Sequence, residues 1–281
     1  MMATLFCFIT LDSTMKHLLE TYSLVEVTWA RFFFATLIAI VVCGRNVVRL
    51  ARSQSPKKQM LRSFLLMSTT GVFNAGIKST PLATATTIMF LSPILVTLLS
   101  IPLLGENVGI RRWAGITVGF IGAIIVVQPW QSGVSGIGIG VLFLLVAALL
   151  NANYQIATRM VRNDDPLTSL LFTAVAGAIV TSCLVPWFWT WPSAFDWMLL
   201  VLSGLAGALG HLFLIRALRL APASVIAPFS YSSLIWATLF GFVIWGDWPD
   251  FWTWIGAALI IGSGLYIFYR EHSRNLPAVE T

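Results

Sequence analysis

Charged residues are scarce in this chain of 281 residues. Asp, Glu, Lys and Arg make up 10% of it, whereas apolar residues make up 58% and the mean hydropathy is +0.86. Soluble proteins carry about 25% charged residues, so the composition excludes a soluble globular protein and predicts an integral membrane protein. A helix that crosses a bilayer takes about 20 apolar residues. Ten such helices would leave no room for a soluble domain of useful size.

Cysteines and the motifs of common catalytic sites are also few or absent. The three cysteines, Cys7, Cys43 and Cys183, stand apart in apolar segments, so we expect neither a disulfide framework nor a cysteine-bound metal. The sequence contains no glycine-rich phosphate loop followed by lysine, no H-E-x-x-H and no G-x-S-x-G. We therefore expect no enzyme activity, no cofactor, no metal site and no ATP hydrolysis within the chain.

The apolar runs predict an all-α membrane protein with ten transmembrane helices. The predicted spans are 2–19, 23–43, 61–77, 81–103, 109–128, 136–158, 167–189, 196–215, 222–245 and 251–269. The first run has no basic leader and no small-residue cleavage site, so we expect a retained helix rather than a cleaved signal peptide.

An internal duplication relates the two halves of the chain. Sliding the sequence along itself by 141 residues superposes residues 81–128 on residues 222–269 without a gap, with Pro81 on Pro222, Ser92 on Ser233 and Trp113 on Trp254. Each half holds five spans, an odd number, so the second half must enter the membrane from the opposite side. The sequence therefore predicts two inverted five-helix repeats, at residues 1–130 and 131–281.

Inverted repeats are typical of secondary transporters, whose substrate site lies where the repeats meet. We therefore predict alternating access through a central cavity, driven by a substrate or ion gradient. The expected partners are a small-molecule substrate and the lipid bilayer, and a monomer would suffice. Duplicated helix bundles also occur as channels or membrane scaffolds, and that alternative stays open.

The positions of the basic residues predict the orientation. Every Lys and Arg except Lys16, Arg31 and Lys78 falls on one side of the predicted membrane, and the connections 128–135, 190–196 and 246–250 contain neither residue. Cytoplasmic loops collect positive charge, so we expect both termini in the cytoplasm, with the protein in the plasma membrane or, in a bacterium, the inner membrane. This topology accounts for a sequence pI of about 9.6 without nucleic-acid binding.

Several short motifs follow one another along the whole chain. They are Asp12 followed by Lys16, the segment 29–32, the related segments 78–83 and 219–224, and the pairs Gly105-Glu106 and Gly246-Asp247. In this order, and duplicated, they resemble the EamA-type ten-helix members of the drug/metabolite transporter superfamily. Many relatives carry Trp-Gly early in the first span, where this chain has Phe8-Ile9. The resemblance implies export of small metabolites, with amino acids as the expected class and drugs or nucleosides as the alternative.

Polar residues inside the spans are the candidate substrate-binding residues. Asn151, Tyr154 and Gln155 share one helical face, where they either line a wet cavity or hydrogen-bond to another helix. Asp12 and Lys16 lie one turn apart. They either form an ion pair with each other or bind a charged substrate or a coupling proton.

The remaining candidates come from three other spans. Asn74 and His211 are isolated polar residues, and His211 either packs or titrates during transport. Tyr231 and Trp236 either form an amphipathic wall for the substrate or pack against neighbouring helices. Arg31 is expected outside the site, where it reaches the membrane interface or pairs with Glu26.

Overall fold

The structure, a computed structural model, describes residues 1–50, 52–104, 110–128, 138–161, 163–220 and 227–275, and within these ranges it is helical without a strand. The helices of the first half are α1 (Met2–Leu18), α2 (Leu24–Cys43), α3 (Pro56–Ile77), α4 (Leu82–Met89), α5 (Leu91–Leu104) and α6 (Ile110–Val127). Those of the second half are α7 (Ile139–Met160), α8 (Pro166–Leu184), α9 (Ala194–Leu220), α10 (Ser233–Trp245) and α11 (Phe251–Asn275).

Many of the described helices are long and apolar enough for a membrane. Five helical segments could cross one by length and composition: Leu24–Leu50, Leu82–Leu99, Ile139–Met160, Pro166–Trp187 and Ala194–Leu214. Three shorter apolar helices accompany them. On the outside of the bundle, Val41 and Val243 are 79% and 70% exposed, which is favourable against lipid and unfavourable in water. The prediction of an all-α membrane protein is confirmed.

The fourth predicted span consists of two helices, α4 and α5, that meet at Phe90. Pro93 has no amide hydrogen for the carbonyl of Met89, and its ring crowds that carbonyl. Just before this point α4 ends, and the Phe90 amide there donates to the carbonyl oxygens of Thr86 and Thr87, at 3.3 and 3.1 Å. A proline inside the apolar run therefore divides the span.

Phe90 and Tyr231, which the 141-residue offset aligns, contact each other across the two halves. Their ring centroids lie 5.1 Å apart with the planes inclined by 75°. Tyr231 lies in a three-ten helix, Ala227–Ser232, that precedes α10, so the second half is also irregular at this position. Two aligned residues touch where the axis that relates the halves passes between them, and the contact is therefore a sign of a pseudo-two-fold axis.

The last helices of the two halves, α6 and α11, pack antiparallel at close range. A Cβ atom on Gly122 would lie 2.9 Å from the carbonyl oxygen of Gly256, and one on Gly119 would lie 2.8 Å from Oγ of Ser263. Backbones that approach so closely leave no space for a side chain at these positions. The small residues therefore join the two halves within one chain.

The central helices also pair across the halves, α1 with α9 and α3 with α7. These two pairings are equivalent under the repeat, because α7 corresponds to α1 and α9 to α3. Leu11, Ile77, Leu144 and Leu200, one from each of these helices, are fully buried. The predicted repeat boundary at residues 130 and 131 lies outside the described residues and stays a prediction.

Candidate binding site

A cavity of about 690 Å³ lies between the paired central helices. One of its walls comes from α1, α2 and α9 and the other from α3, α7 and α8, with residues of α4 and the start of α10 at the edge. Pockets for drug-sized ligands occupy about 300–1,000 Å³. The cavity is therefore large enough for a metabolite of that size.

The cavity occupies one end of the bundle. Its lining on α1 runs from Leu5 to Asp12 and stops there, although α1 continues to Leu18. At this end it is bordered by Met1, by Asp164 in the loop before α8 and by the exposed Pro166 at the start of α8. We call this the Met1 end, and the opposite end of the bundle, where residues 16–26 lie, the Asp247 end.

Side-chain hydrogen bonds hold the Asp247 end together. Lys16 Nζ lies 3.2 Å from Asp247 Oδ2 and 4.6 Å from the centroid of the Trp245 ring. Trp245 Nε1 in turn donates to Glu20 Oε1 at 2.8 Å. These contacts join α1 to the end of α10, and the cavity does not extend past them. The expected alternative of an ion pair between Lys16 and Asp12 is not found, because Lys16 reaches toward the loop that follows α10.

Five of the nine predicted site residues line the cavity: Asp12, Asn151, Tyr154, Gln155 and His211. Asp12, Asn151 and Gln155 have no hydrogen-bond partner, and Asp12 has no ion-pair partner, among the described residues. His211 contacts the Phe8 ring edge to face at 5.1 Å. The cavity therefore presents polar groups whose hydrogen-bonding capacity the protein leaves unused.

Arg31, which we expected outside the site, also lines the cavity. Glu26 does not pair with it, because this buried carboxylate accepts a hydrogen bond from the Thr190 amide at 3.2 Å. Arg31 lies close enough to Asp12 to interact electrostatically with it, and Tyr154 lines the same cavity. No carboxylate of the described residues lies within 4.0 Å of its guanidinium. Asp12 and Arg31 thus bring opposite charges to one cavity without forming a contact ion pair.

Arg62 is a cavity residue that we did not predict as part of the site. We placed it on the cytoplasmic side at the start of the predicted span 61–77, and it lies inside α3, is 7% exposed and lines the cavity. Its guanidinium donates four hydrogen bonds to the second half: to Thr158 Oγ1 at 3.0 Å, Ser169 O at 3.0 Å, Thr173 Oγ1 at 2.8 Å and Tyr154 Oη at 2.7 Å. Ser55-Pro56, a typical helix start, was the signal that could have placed the start of α3 before residue 61 and Arg62 well inside the helix.

The other four predicted site residues do not line the cavity. Asn74 is buried and donates to Thr28 Oγ1 at 3.2 Å, and Lys16 belongs to the Asp247 end. Tyr231 packs against Phe90, as described above. Trp236 packs edge to face against Phe6 with centroids 5.3 Å apart. In this conformation these four residues pack or pair with the protein itself.

At the Met1 end, Asp164 connects the first half to the second. It accepts hydrogen bonds from the Ser53 hydroxyl, from the Gln54 amide at 2.9 Å and from Gln59 Nε2 at 2.9 Å. Partial burial acts to raise the pKa of Asp164, but the three hydrogen bonds outweigh it and hold the pKa below its usual range. The carboxylate therefore stays charged at neutral pH and fixes the loop before α3.

A family comparison fits this architecture. The model of the EamA-like transporter family matches residues 1–128 and 138–269. The chain belongs to the EamA-like transporter family. It is therefore a membrane transporter of ten helices in two repeats, as the resemblance implied. Within the described residues no group of His, Cys, Asp or Glu is placed to hold a metal ion.

Relatives within the family carry different solutes. The S-adenosylmethionine uptake transporter of Rickettsia prowazekii (strain Madrid E) is 29% identical over 264 residues, which cover 92% of this chain and 88% of that protein. A riboflavin transporter of Rhizobium johnstonii is 28% identical over 250 residues, which cover 87% and 80%. Neither named solute is a free amino acid. A solved crystal structure with 19% identity has a TM-score of 0.65 over 98% of this chain and 99% of its own, which shows the fold alone.

Proposed function

We propose that this protein is a secondary carrier of small zwitterionic metabolites. The observation that carries the proposal is that Asp12 and Arg31 bring opposite charges to one cavity without pairing with each other. Charges away from water are costly unless they are compensated. A zwitterion would bring a cation to Asp12 and an anion to Arg31, and it would thus compensate both.

The size and the walls of the cavity favour a solute larger than a free amino acid. The volume is about 690 Å³, and the rings of Phe32, Phe73 and Phe90 line it. Aromatic rings of this kind pack well against a planar group of a ligand. We therefore place amino-acid conjugates with a ring system first. S-adenosylmethionine, the solute named for a relative, is one of them. Free amino acids, which carry the same zwitterionic group, are the second candidate class.

We also propose that both termini and the Met1 end are cytoplasmic, since the basic residues favour that orientation. The cavity would then lie on the cytoplasmic side, and opening of the Asp247 end would complete alternating access. A carrier moves solute down the combined gradients of solute and coupled ions. The direction of transport therefore depends on the gradients in the cell and not on the fold, and export stays a prediction.

Flux into proteoliposomes tests the proposed function. Labelled S-adenosylmethionine, leucine and riboflavin would be supplied outside vesicles that are either empty or preloaded with the same unlabelled solute. We expect saturable uptake of S-adenosylmethionine that preloading accelerates, because a carrier exchanges solutes faster than it returns empty. Uptake without saturation or acceleration would favour the channel alternative. Uptake of riboflavin alone would contradict the zwitterion assignment, and absence of flux for all three would contradict the proposed substrate class.

A further inference from the structure

The hydrogen bonds that Arg62 donates determine which atoms donate and which accept in the neighbouring hydrogen bonds. A guanidinium group can only donate hydrogen bonds, so the three hydroxyl groups that it contacts, those of Tyr154, Thr158 and Thr173, must accept. Each hydroxyl then keeps one hydrogen of its own to donate. Where those three hydrogens go can be read from the structure.

Two of the three hydrogens are used within the helices. Thr158 Oγ1 donates to the carbonyl oxygen of Tyr154 at 2.8 Å, and Thr173 Oγ1 donates to that of Ser169 at 2.9 Å. The third hydroxyl, that of Tyr154, has no acceptor among the described residues, although its side chain lines the cavity. Because Arg62 lies 2.7 Å from the Tyr154 oxygen and occupies its acceptor side, the hydroxyl hydrogen is left for the cavity.

We propose that Arg62 is a positioning residue that makes the Tyr154 hydroxyl a hydrogen-bond donor toward the cavity. Tyr154, with the nearby Arg31, then forms the subsite for an acceptor group of the solute, the carboxylate in the case of a zwitterion. The solute class rests on the proposed function, whereas the orientation of Tyr154 does not.

The subsite gives the cavity two chemically distinct regions. Arg31 lines the cavity together with Tyr154, and it interacts electrostatically with Asp12, the only acidic side chain on α1 among the lining residues. A donor and a guanidinium together favour an anionic acceptor. A cationic group on the same solute would then lie toward Asp12. The rest of the solute would lie among the aromatic side chains.

The orientation of Tyr154 can be tested without any substrate. In the ultraviolet Raman spectrum, the ring doublet of tyrosine reports whether its hydroxyl accepts or donates hydrogen bonds. Subtracting the spectrum of Tyr154→Phe from that of the full-length parent isolates Tyr154. We expect the signature of an accepting hydroxyl in the parent and a shift toward a donor-only signature in Arg62→Gln.

Two further variants keep this test decisive. Arg62→Lys, whose single ammonium cannot hold all three hydroxyls at once, should give an intermediate doublet and serves if Arg62→Gln does not fold. Arg159→Gln removes an exposed arginine at the end of α7 and should leave the doublet unchanged. An unchanged doublet in a folded Arg62 variant would overturn the proposed positioning role.

Transport kinetics test the subsite. In proteoliposomes, Tyr154→Phe should raise the KM for labelled S-adenosylmethionine about tenfold, equivalent to about 1.4 kcal/mol, with kcat changed much less. In the same Tyr154→Phe variant, the KM for decarboxylated S-adenosylmethionine, which lacks the carboxylate, should stay at the value of the parent. Arg62→Gln should raise the KM for S-adenosylmethionine in the parent but add little in Tyr154→Phe, because Arg62 acts on the solute only by orienting the Tyr154 hydroxyl.

The outcomes separate the two proposals. Equal KM changes for both solutes, or additive effects of the Arg62 and Tyr154 variants, would contradict the carboxylate subsite even if S-adenosylmethionine is carried. Absence of S-adenosylmethionine flux together with the expected Raman shift would contradict the proposed substrate and leave the oriented donor in place.

Discussion

The Asp247 end and the cavity hold similar polar side chains in opposite situations. At the Asp247 end, Lys16 pairs with Asp247, and the Tyr22 hydroxyl donates to Asp196 at 2.7 Å. In the cavity, Asp12 and Arg31 face the same space without pairing. A polar group away from water is costly unless it has a partner. The first set therefore contributes to the stability of a closed end, whereas the second set is available to a ligand.

We expect this difference to separate binding residues from structural ones better than residue type does. A lysine, a tyrosine and several carboxylates occur at the Asp247 end, and any of them could be mistaken for a substrate ligand in the sequence. Removal of a paired group leaves its partner unsatisfied, which destabilises the protein. Removal of a group without such a partner leaves no hydrogen-bond donor or acceptor unsatisfied. The two regions should therefore respond in opposite ways to substitution.

The largest effect is expected from the unpaired charges. Asp12→Asn or Arg31→Gln should lower kcat/KM for S-adenosylmethionine about 10- to 100-fold, the usual effect of losing a hydrogen bond to a charged group, about 1.5–3 kcal/mol. The melting temperature should change little, because neither side chain has a hydrogen-bond or contact ion-pair partner among the described residues. Flux assays and thermal unfolding of the purified variants check both parts. Arg159→Gln, at an exposed position, is the matched control, and a lower melting temperature with normal transport would contradict the comparison.

Removal of the ion pair between Lys16 and Asp247 should favour the state in which the cavity opens at the Asp247 end over the state in which it opens at the Met1 end. In Lys16→Gln or Asp247→Asn, we expect a cysteine at position 151 to react about fivefold faster with an impermeant thiol reagent added from the Asp247 side. The pair is partly exposed, so its contribution is about 1 kcal/mol. The parent for this measurement is Asn151→Cys with Cys7, Cys43 and Cys183 replaced by Ser.

The charge-reversed pair provides the control for that measurement. Lys16→Asp combined with Asp247→Lys should return the labelling rate toward that of the parent, since the attraction is restored. Labelling that stays fast in the reversed pair would show that side-chain shape, rather than charge, closes this end.

The sequence could predict the parts of the structure that depend on local pattern. The period of a helix places Asn151, Tyr154 and Gln155 on one face, and all three line the cavity. The 141-residue offset aligns Phe90 with Tyr231, and these two residues meet between the halves. The shared helical face and the offset between the halves need only the regular geometry of a helix or of a repeat, whereas the contact between Phe90 and Tyr231 is read from the structure.

Partner choice across the bundle could not be predicted in the same way. Lys16 lies one turn from Asp12 but pairs with Asp247, which is 231 positions away along the chain. Nothing in the local spacing distinguishes those two carboxylates. For Arg62, the predicted span 61–77 placed the residue at the start of a helix, but it did not predict the hydrogen bonds to Tyr154, Thr158 and Thr173. Long-range pairing depends on how the helices pack, which one sequence does not reveal.

A smaller effect, on stability alone, is expected at the Asp247 end. Tyr22→Phe removes a donor to Asp196 and an acceptor for the Ser193 amide, 3.3 Å away. We expect the free energy of unfolding to fall by about 1 kcal/mol, while the KM for S-adenosylmethionine stays unchanged. Denaturation and flux measurements check the two parts. Tyr266→Phe, at an exposed tyrosine, should change neither quantity, and a raised KM in Tyr22→Phe would place Tyr22 in the transport site.

The smallest effect is expected from Asp164, a paired carboxylate at the open end. Its hydrogen bonds depress its pKa, so its contribution to stability is present above the unfolded pKa of about 3.9 and is lost as the pH falls through the lower, folded pKa. We therefore expect amide exchange in residues 52–59 to accelerate at acid pH in the parent beyond the change in intrinsic rate. In Asp164→Asn this acceleration should be absent, with exchange already faster at neutral pH. Because Asp164 joins α3 to the loop before α8 within one wall, the link can persist while the cavity stays open. Identical acid profiles in the two proteins would mean that the loop before α3 is held by other contacts.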